Sequence, residues 1–173
     1  MPAPERTSLD AIVAAASDIL ETSGLDAVTM HAVALRVGVK APSLYKRVAD
    51  RDALVRLVAN AATERLAFAL ERPSNLAEVA RGFRAFAREH PRSFQLIFSA
   101  SADPDILART SAPVLRIARD LAGEENALHA ARLLTAWAVG FVQMELAGAF
   151  QLGGELDEAF EYGLRRLEQA IAS

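Results

Sequence analysis

The sequence predicts an all-α protein in two parts, a small helix-turn-helix unit followed by a larger helical one, about nine helices in total. Three observations lead there. Of 173 residues, 36 are Ala and 22 are Leu, against 9 Gly and 7 Pro, so strong helix formers supply about a third of the chain. Apolar residues recur at three- and four-residue steps, and no segment alternates as a strand would. Helix-stopping signals such as Gly24 and Gly38 separate these segments, and the clearest break, Pro73-Ser74-Asn75, divides the chain in two.

The first helix is expected from Thr7 to Thr22, with Leu9, Ile12, Val13, Ala16, Ile19 and Leu20 inward, Thr7 and Asp10 spaced as a capping box, and Gly24 past its end. Thr29 caps a second, short helix through Val33, Ala34 and Val37, which Gly38 stops after about two turns. A third short helix opens near Pro42 and carries Leu44, Tyr45 and Val48. Asp50 caps a longer fourth helix running through Leu54, Val58, Leu66 and Leu70 and ending before Pro73. Phe83, Phe86 and Ala87 lie on the next helix, which ends at His90-Pro91 because proline disfavours helical geometry in the residue before it. Ser93–Phe98 forms a short helix, and Ser99–Asp105 reads as a loop. A further helix runs from about Pro104 to Leu121, with Ser111-Ala112-Pro113 as its weak point. After Gly123–Asn126, the stretch Leu128–Phe150 is apolar almost all round, and Gln151–Glu155 makes the last turn. Leu156, Phe160, Leu164, Leu167 and Ile171 stripe the final helix.

Composition excludes several functions. Without cysteine there is no disulfide scaffold, thiolate metal site or cysteine nucleophile, and the expected compartment is the cytoplasm. The longest apolar run, Ala136–Val142, is far short of the roughly 18 residues of a membrane span, and the first ten residues lack the apolar core of a secretory signal. His31, His90 and His129 are far apart, and Glu125 with His129 is more simply a helix-start acid and a surface imidazole, so no metal and no cofactor is expected. With no phosphate-binding glycine loop and no nucleophile elbow, catalysis is not expected either.

Net charge is −3, yet Arg36 to Arg56 holds six bases and two acids, a local charge of +4 that includes both lysines of the chain. Scattered bases alone would mean a solvated face. Here they sit on a short helix, a Gly38 turn and a second short helix, the arrangement in which the second helix enters a DNA major groove. Thr29, Lys40, Ala41, Pro42, Ser43, Tyr45, Lys46, Arg47 and Arg51 are the candidate DNA-binding residues. Tyr45, Lys46 and Arg47 offer a hydroxyl and two cations to phosphates; Ala41, Pro42 and Ser43 offer apolar contact and shape reading.

Between Thr7 and Leu57 the sequence resembles the DNA-binding domain of the TetR (tetracycline-repressor) family of bacterial transcriptional regulators. The resemblance lies in Ala16 followed by Gly24-Leu25, then TMHAVALRVGV, SLYKRV and ADRDAL. The family often has Ser or Thr at the place of Lys40, His at that of Arg47 and Phe at that of Val48. More weakly, His90-Pro91-Arg92-Ser93-Phe94 and the Trp137/Gly140 pair resemble a subset of family ligand domains. The resemblance implies DNA binding by residues 1–50, a connecting helix over 51–73, and ligand binding and dimerisation by 74–173. It also implies a homodimer on a palindromic double-stranded operator, released by a small molecule, with the distal end of the fourth helix near Leu66–Leu70 transmitting the change.

Phe83, Phe86, Phe94, Phe98, Trp137, Phe141 and Met144 are the candidate ligand lining, although periodicity cannot separate a cavity wall from plain core. Such a lining suits a small, mainly apolar effector oriented by few polar groups, such as Thr135, Gln143 or Glu145. Val139, Gln143, Phe160, Leu164 and Leu167 are the candidate dimer contacts. The function expected is that of a repressor. The alternatives are an activator or effector-independent regulator of the same family, or a helical small-molecule-binding protein whose basic patch is incidental.

Overall fold

The computed structural model describes residues 8–99 and 103–172, and within them the chain is helical without strands. The helices are α1 (Leu9–Ser23), α2 (Met30–Val37), α3 (Ala41–Leu44), α4 (Arg51–Ala69), α5 (Leu76–Glu89), α6 (Pro91–Ser99), α7 (Pro104–Leu146) and α8 (Leu156–Ile171), with a 3-10 turn at Leu25–Ala27. They divide into two compact units, one of residues up to Arg65 with His90–Ile106, the other of Leu66–Glu89 with the chain from Leu107 onward.

Local chemistry sets most helix ends. Ser8 caps α1, its side chain accepting the Ala11 N–H at 3.2 Å. Thr7, the expected cap, lies outside the described residues, as does the middle of the expected Ser99–Asp105 loop. Thr29 Oγ1 accepts the Ala32 N–H at 3.1 Å, and Asp50 Oδ1 accepts the Ala53 N–H at 2.7 Å. α7 differs from expectation. It runs through Pro113 and is interrupted instead at Gly123, where φ is 77°, so the label spans two helical segments; an Arg119–Glu124 ion pair bridges the interruption. Proline's fixed φ suits a helix even where its missing N–H loses a bond, whereas a positive φ breaks the ladder outright.

In the first unit, Ile12, Leu20, Val28, Val33, Leu44, Leu54 and Val58 are fully buried and form one core with Leu96 of α6. Although residues 90–106 follow the Pro73 break in sequence, they cluster with this unit. Glu21 at the end of α1 accepts the Ser93 N–H on its carboxylate at 2.6 Å and the Arg92 Nη1 donor on its carbonyl at 2.9 Å.

The second unit is built on aromatic stacking around α8. Phe160 stacks on Trp137, with centroids 5.0 Å apart and planes at 27°, and meets Phe141 edge-on at 5.2 Å. Gly163 makes the close approach possible, because a Cβ there would lie 2.7 Å from the Trp137 ring. Phe160 is 0% exposed and Leu164 2%, so both are interior to this unit. That corrects their expected place in a dimer contact: the part of the stripe at Phe160 and Leu164 is turned inward, while Leu167 is only partly covered.

Candidate nucleic-acid interface

The α2–turn–α3 segment is held from both sides. Val33, Ala34 and Leu44 point into the core, which fixes the rotation of both short helices and leaves their other faces in solvent. Gly38 takes a left-handed conformation (φ 74°, ψ 36°); its N–H reaches the Leu35 carbonyl at 3.2 Å, and the Val39 N–H reaches that of Ala34 at 2.9 Å. This paired closure ends α2 sharply, and α3 begins at Ala41, three residues after Gly38. α3 is one turn long, and the chain continues it as a hydrogen-bonded turn, the N–H groups of Arg47 and Val48 both donating to the Leu44 carbonyl at 2.8 and 2.9 Å.

The expected contact residues fall into groups. Lys40, Pro42, Tyr45, Lys46 and Arg47 are exposed, Tyr45 at 55% with its ring half covered. Lys40 flanks the start of α3 without a capping bond from its side chain. Ala41 and Ser43 are half-buried. Ser43 lies within α3 rather than at its start, and its N–H is taken by the Lys40 carbonyl at 2.9 Å, so its backbone offers no donor to an anion. The Thr29 hydroxyl oxygen accepts the cap bond, which leaves its hydrogen to donate.

Arg51 has a different task. Its Nε donates to the Val28 carbonyl at 2.9 Å and its Nη2 to that of Leu25 at 2.8 Å, tying the start of α4 to the segment that leads into α2. Arg36, another base of the +4 window, faces Asp18 at 3.5 Å. The other bases of the window, Lys40, Lys46, Arg47 and Arg56, are exposed.

The aromatic set is divided. Phe94 and Phe98 belong to the first unit and lie 5.0 Å apart, while Phe83, Phe86, Trp137, Phe141 and Met144 belong to the second. Sequence reasoning missed the charge beside them. The side chains of Arg84 and Glu145, 8% and 9% exposed, pair through two bonds of 2.8 Å. Arg88 also donates to Glu145 at 2.6 Å, and Asp157 accepts from Arg84 at 2.9 Å and from Arg88 at 2.8 Å. The Arg84 guanidinium stands 4.6 Å over the Phe160 ring and 5.6 Å over that of Phe141. Burial by itself raises the Glu145 carboxyl, but the hydrogen bonds from Arg84 and Arg88 prevail and hold it below its usual range. With both oxygens engaged, Glu145 orders the unit. Among the described residues, no three His, Asp or Glu side chains gather as a metal site would need, and no helix is long and apolar enough to cross a membrane.

Comparison with known proteins gives these helices a family. Residues 5–58 match "Bacterial regulatory proteins, tetR family", and residues 76–167 match "Tetracyclin repressor-like, C-terminal domain". The HTH-type transcriptional regulator Rv0681 of Mycobacterium tuberculosis is 30% identical over 161 residues, covering 84% of this chain and 73% of that protein. The crystal structure of the regulatory protein SCO4313 superposes with a TM-score of 0.80 at 26% identity, over 95% of this chain and 98% of the other. Apo ActR from Streptomyces coelicolor shares the fold at a TM-score of 0.74 and 20% identity, over 99% and 97% of the two chains. A TetR variant from Acinetobacter baumannii in complex with minocycline does so at 0.71 and 23%, over 94% and 95%. With an outward cationic face on a short helix after a tight glycine turn, and matches over both halves, the chain belongs to the TetR family of transcriptional regulators and is not an enzyme.

Proposed function

We propose that this regulator is a repressor that binds a palindromic operator in the cytoplasm as a homodimer and is released by a small, mainly apolar effector. The observation that carries the reading is the outward array of Lys40, Tyr45, Lys46 and Arg47 around α3, held in place by the buried Leu44 and the Gly38 closure. Three cations and a phenol around a short helix suit phosphates flanking a major groove, and Ala41 and Pro42 suit close approach to thymine methyls. Residues 1–50 carry DNA contact, 51–73 connect, and 74–173 hold the effector and the partner subunit.

For the partner contact, Val139, Gln143 and Leu167 remain from the expected set, joined by the exposed Leu133 and Tyr162 on the same two helices. Leu133, Ala136, Val139 and Gln143 follow one another at steps of three or four, hence along one side of α7. Phe83, Phe86, Trp137, Phe141 and Met144, with Thr135 and Gln143 as polar groups, are the lining proposed for the effector; Phe94 and Phe98 are the expected members that lie in the first unit.

The test is a titration of the dimer against duplexes carrying inverted repeats, at several salt concentrations. Sequence-selective binding with a negative slope of log affinity on log salt supports the reading. Absence of salt-dependent binding to any duplex would sink it and favour the small-molecule carrier.

A further inference from the structure

Of the three cations around α3, Lys46 and Arg47 follow the helix, whereas Lys40 precedes it, in the turn between Gly38 and Ala41. The backbone of Lys40 is fixed on both sides. Its neighbours Val39 and Ala41 are half-buried against the core of the first unit. The Val39 N–H donates to the Ala34 carbonyl at 2.9 Å, and the Lys40 carbonyl accepts the Ser43 N–H at 2.9 Å. The Lys40 side chain itself is exposed, makes no capping bond and enters no ion pair among the described residues. We propose that Lys40 is a sequence-determining residue: it donates to a guanine in the major groove, so that each half of the operator carries a G·C pair read by this side chain.

Guanine follows from the donors and acceptors available. In a helix-turn-helix the leading residues of the second helix approach the base edges. Here these are Lys40, Ala41, Pro42 and Ser43. Ala41 and Pro42 have no polar side-chain atom, and Ser43 is half-buried with its N–H already bonded. Lys40 is therefore the one long polar side chain at this end, and its ammonium carries three donors and no acceptor. In the major groove guanine presents two acceptors, O6 and N7. Adenine sets a donor beside its N7, thymine presents O4 beside a methyl group, and cytosine presents a donor. Guanine alone gives the ammonium two acceptors with no donor facing it.

The assignment rests on the DNA-binding reading and narrows it. A cation that holds a phosphate strengthens binding to every duplex alike, whereas one bonded to a base edge adds affinity on the cognate sequence. Lys46 and Arg47 have the first task and Lys40 the second, so substitutions at the two ends of α3 differ in kind. The fixed backbone suits a base reader, because a bond to one base edge requires a side chain that starts from a set point. A Ser or Thr, frequent at this place in the family, has one short-armed donor that also accepts, and does not single out guanine.

The test uses the full chain and a library of random duplexes, from which bound sequences are selected for the parent protein, Lys40→Ala and Lys40→Arg. The parent should select inverted repeats with guanine fixed at one position of each half. Lys40→Arg should keep that guanine, because a guanidinium also donates to O6 and N7, and Lys40→Ala should accept any base there. On the selected duplex Lys40→Ala should bind about tenfold more weakly, with a much smaller change on an unrelated duplex. Replacing the guanine by 7-deazaguanine, which keeps O6 and the base pair but lacks the N7 acceptor, should weaken the parent several-fold and leave Lys40→Ala unchanged. Melting temperatures should be equal, since Lys40 is exposed. A parent consensus with no fixed guanine, a guanine retained in Lys40→Ala, or an equal loss on every duplex would overturn the assignment and leave the operator reading intact; the last would make Lys40 a phosphate contact. Undiminished binding of the parent to the 7-deazaguanine duplex would overturn it whatever the stability of the variants. A parent that selects no sequence fails the operator reading and takes this assignment with it.

Discussion

Replacing glycine by alanine inside a helix ordinarily stabilises it by about 1 kcal/mol. At Gly163 the sign reverses, because the new Cβ would lie 2.7 Å from one carbon of the Trp137 indole and 3.1 Å from two more of its ring atoms, and overpacking costs about 1–3 kcal/mol. Gly163→Ala should therefore melt below the parent protein; an equal or higher melting temperature refutes the close packing described. Glu145 makes a second residue-scale prediction. Removing its carboxylate leaves Arg84 buried with Asp157 as its remaining acid, and breaking a buried pair costs about 3–5 kcal/mol, so Glu145→Ala should cost about that much by denaturant titration. The same pair sets an acid limit. A carboxyl held below its ordinary value of 4.5 contributes stability that is fully present above that value and is lost as pH falls through the lowered folded value. The parent should lose stability in that acid range more steeply than Glu145→Ala, and parallel pH profiles for the two would refute the assignment.

At the scale of elements, the α2–turn–α3 segment separates side chains that face DNA from one that braces the fold. Lys46→Ala and Arg47→Ala should each lower the salt slope of DNA binding by about one, whatever the sequence of the duplex. Arg51→Ala should leave the slope unchanged and instead lower the stability of the first unit by about 1–3 kcal/mol, since two charge-assisted bonds to the Leu25 and Val28 carbonyls are lost. A slope that drops in Arg51→Ala as well would mean the brace opens on DNA. The contrast shows what is legible in a sequence. Thr29, Gly38 and Asp50 mark helix ends through bonds between residues at most five positions apart, and Pro91 does so by restricting the residue before it, so the elements follow from local chemistry. Arg51 looks like any other base of a cationic window until the chain folds and brings carbonyls 23 and 26 residues away to it. Arg84 is hidden for the same reason: amphipathic patterning assigns arginine to the surface, and its partner lies 61 positions along the chain. The attachment of α6 to α1 through Glu21, 71 and 72 residues from its donors, leaves no trace in periodicity. Phe160 and Leu164 show the remaining limit, because an apolar stripe states that a face is covered without saying by which surface.

For the whole molecule, the contrast between the partly covered Val139 on α7 and the buried Leu164 on α8 makes assembly testable by two substitutions. Val139→Lys should yield folded monomers by sedimentation, because it places a charge where a second subunit is proposed to dock. Leu164→Arg should unfold the second unit itself, because the site is interior before any partner arrives. A dimer that survives Val139→Lys moves the contact elsewhere. Effector action has a paired signature: an apolar compound that binds the native state should raise the melting temperature and, if the two sites are linked, lower operator affinity by a fixed factor. Stabilisation without loss of operator affinity would leave a pocket with no switch. The placement of the chain's single tryptophan adds an optical consequence. Trp137, stacked on Phe160 and pressed against Gly163, lies wholly within the second unit, so indole emission is a reporter for that half alone. Far-ultraviolet dichroism, by contrast, sums the helices of both. A melting curve followed by fluorescence is blind to the DNA-binding half, and any gap between the two curves reads out, with no label attached, how far the halves come apart independently.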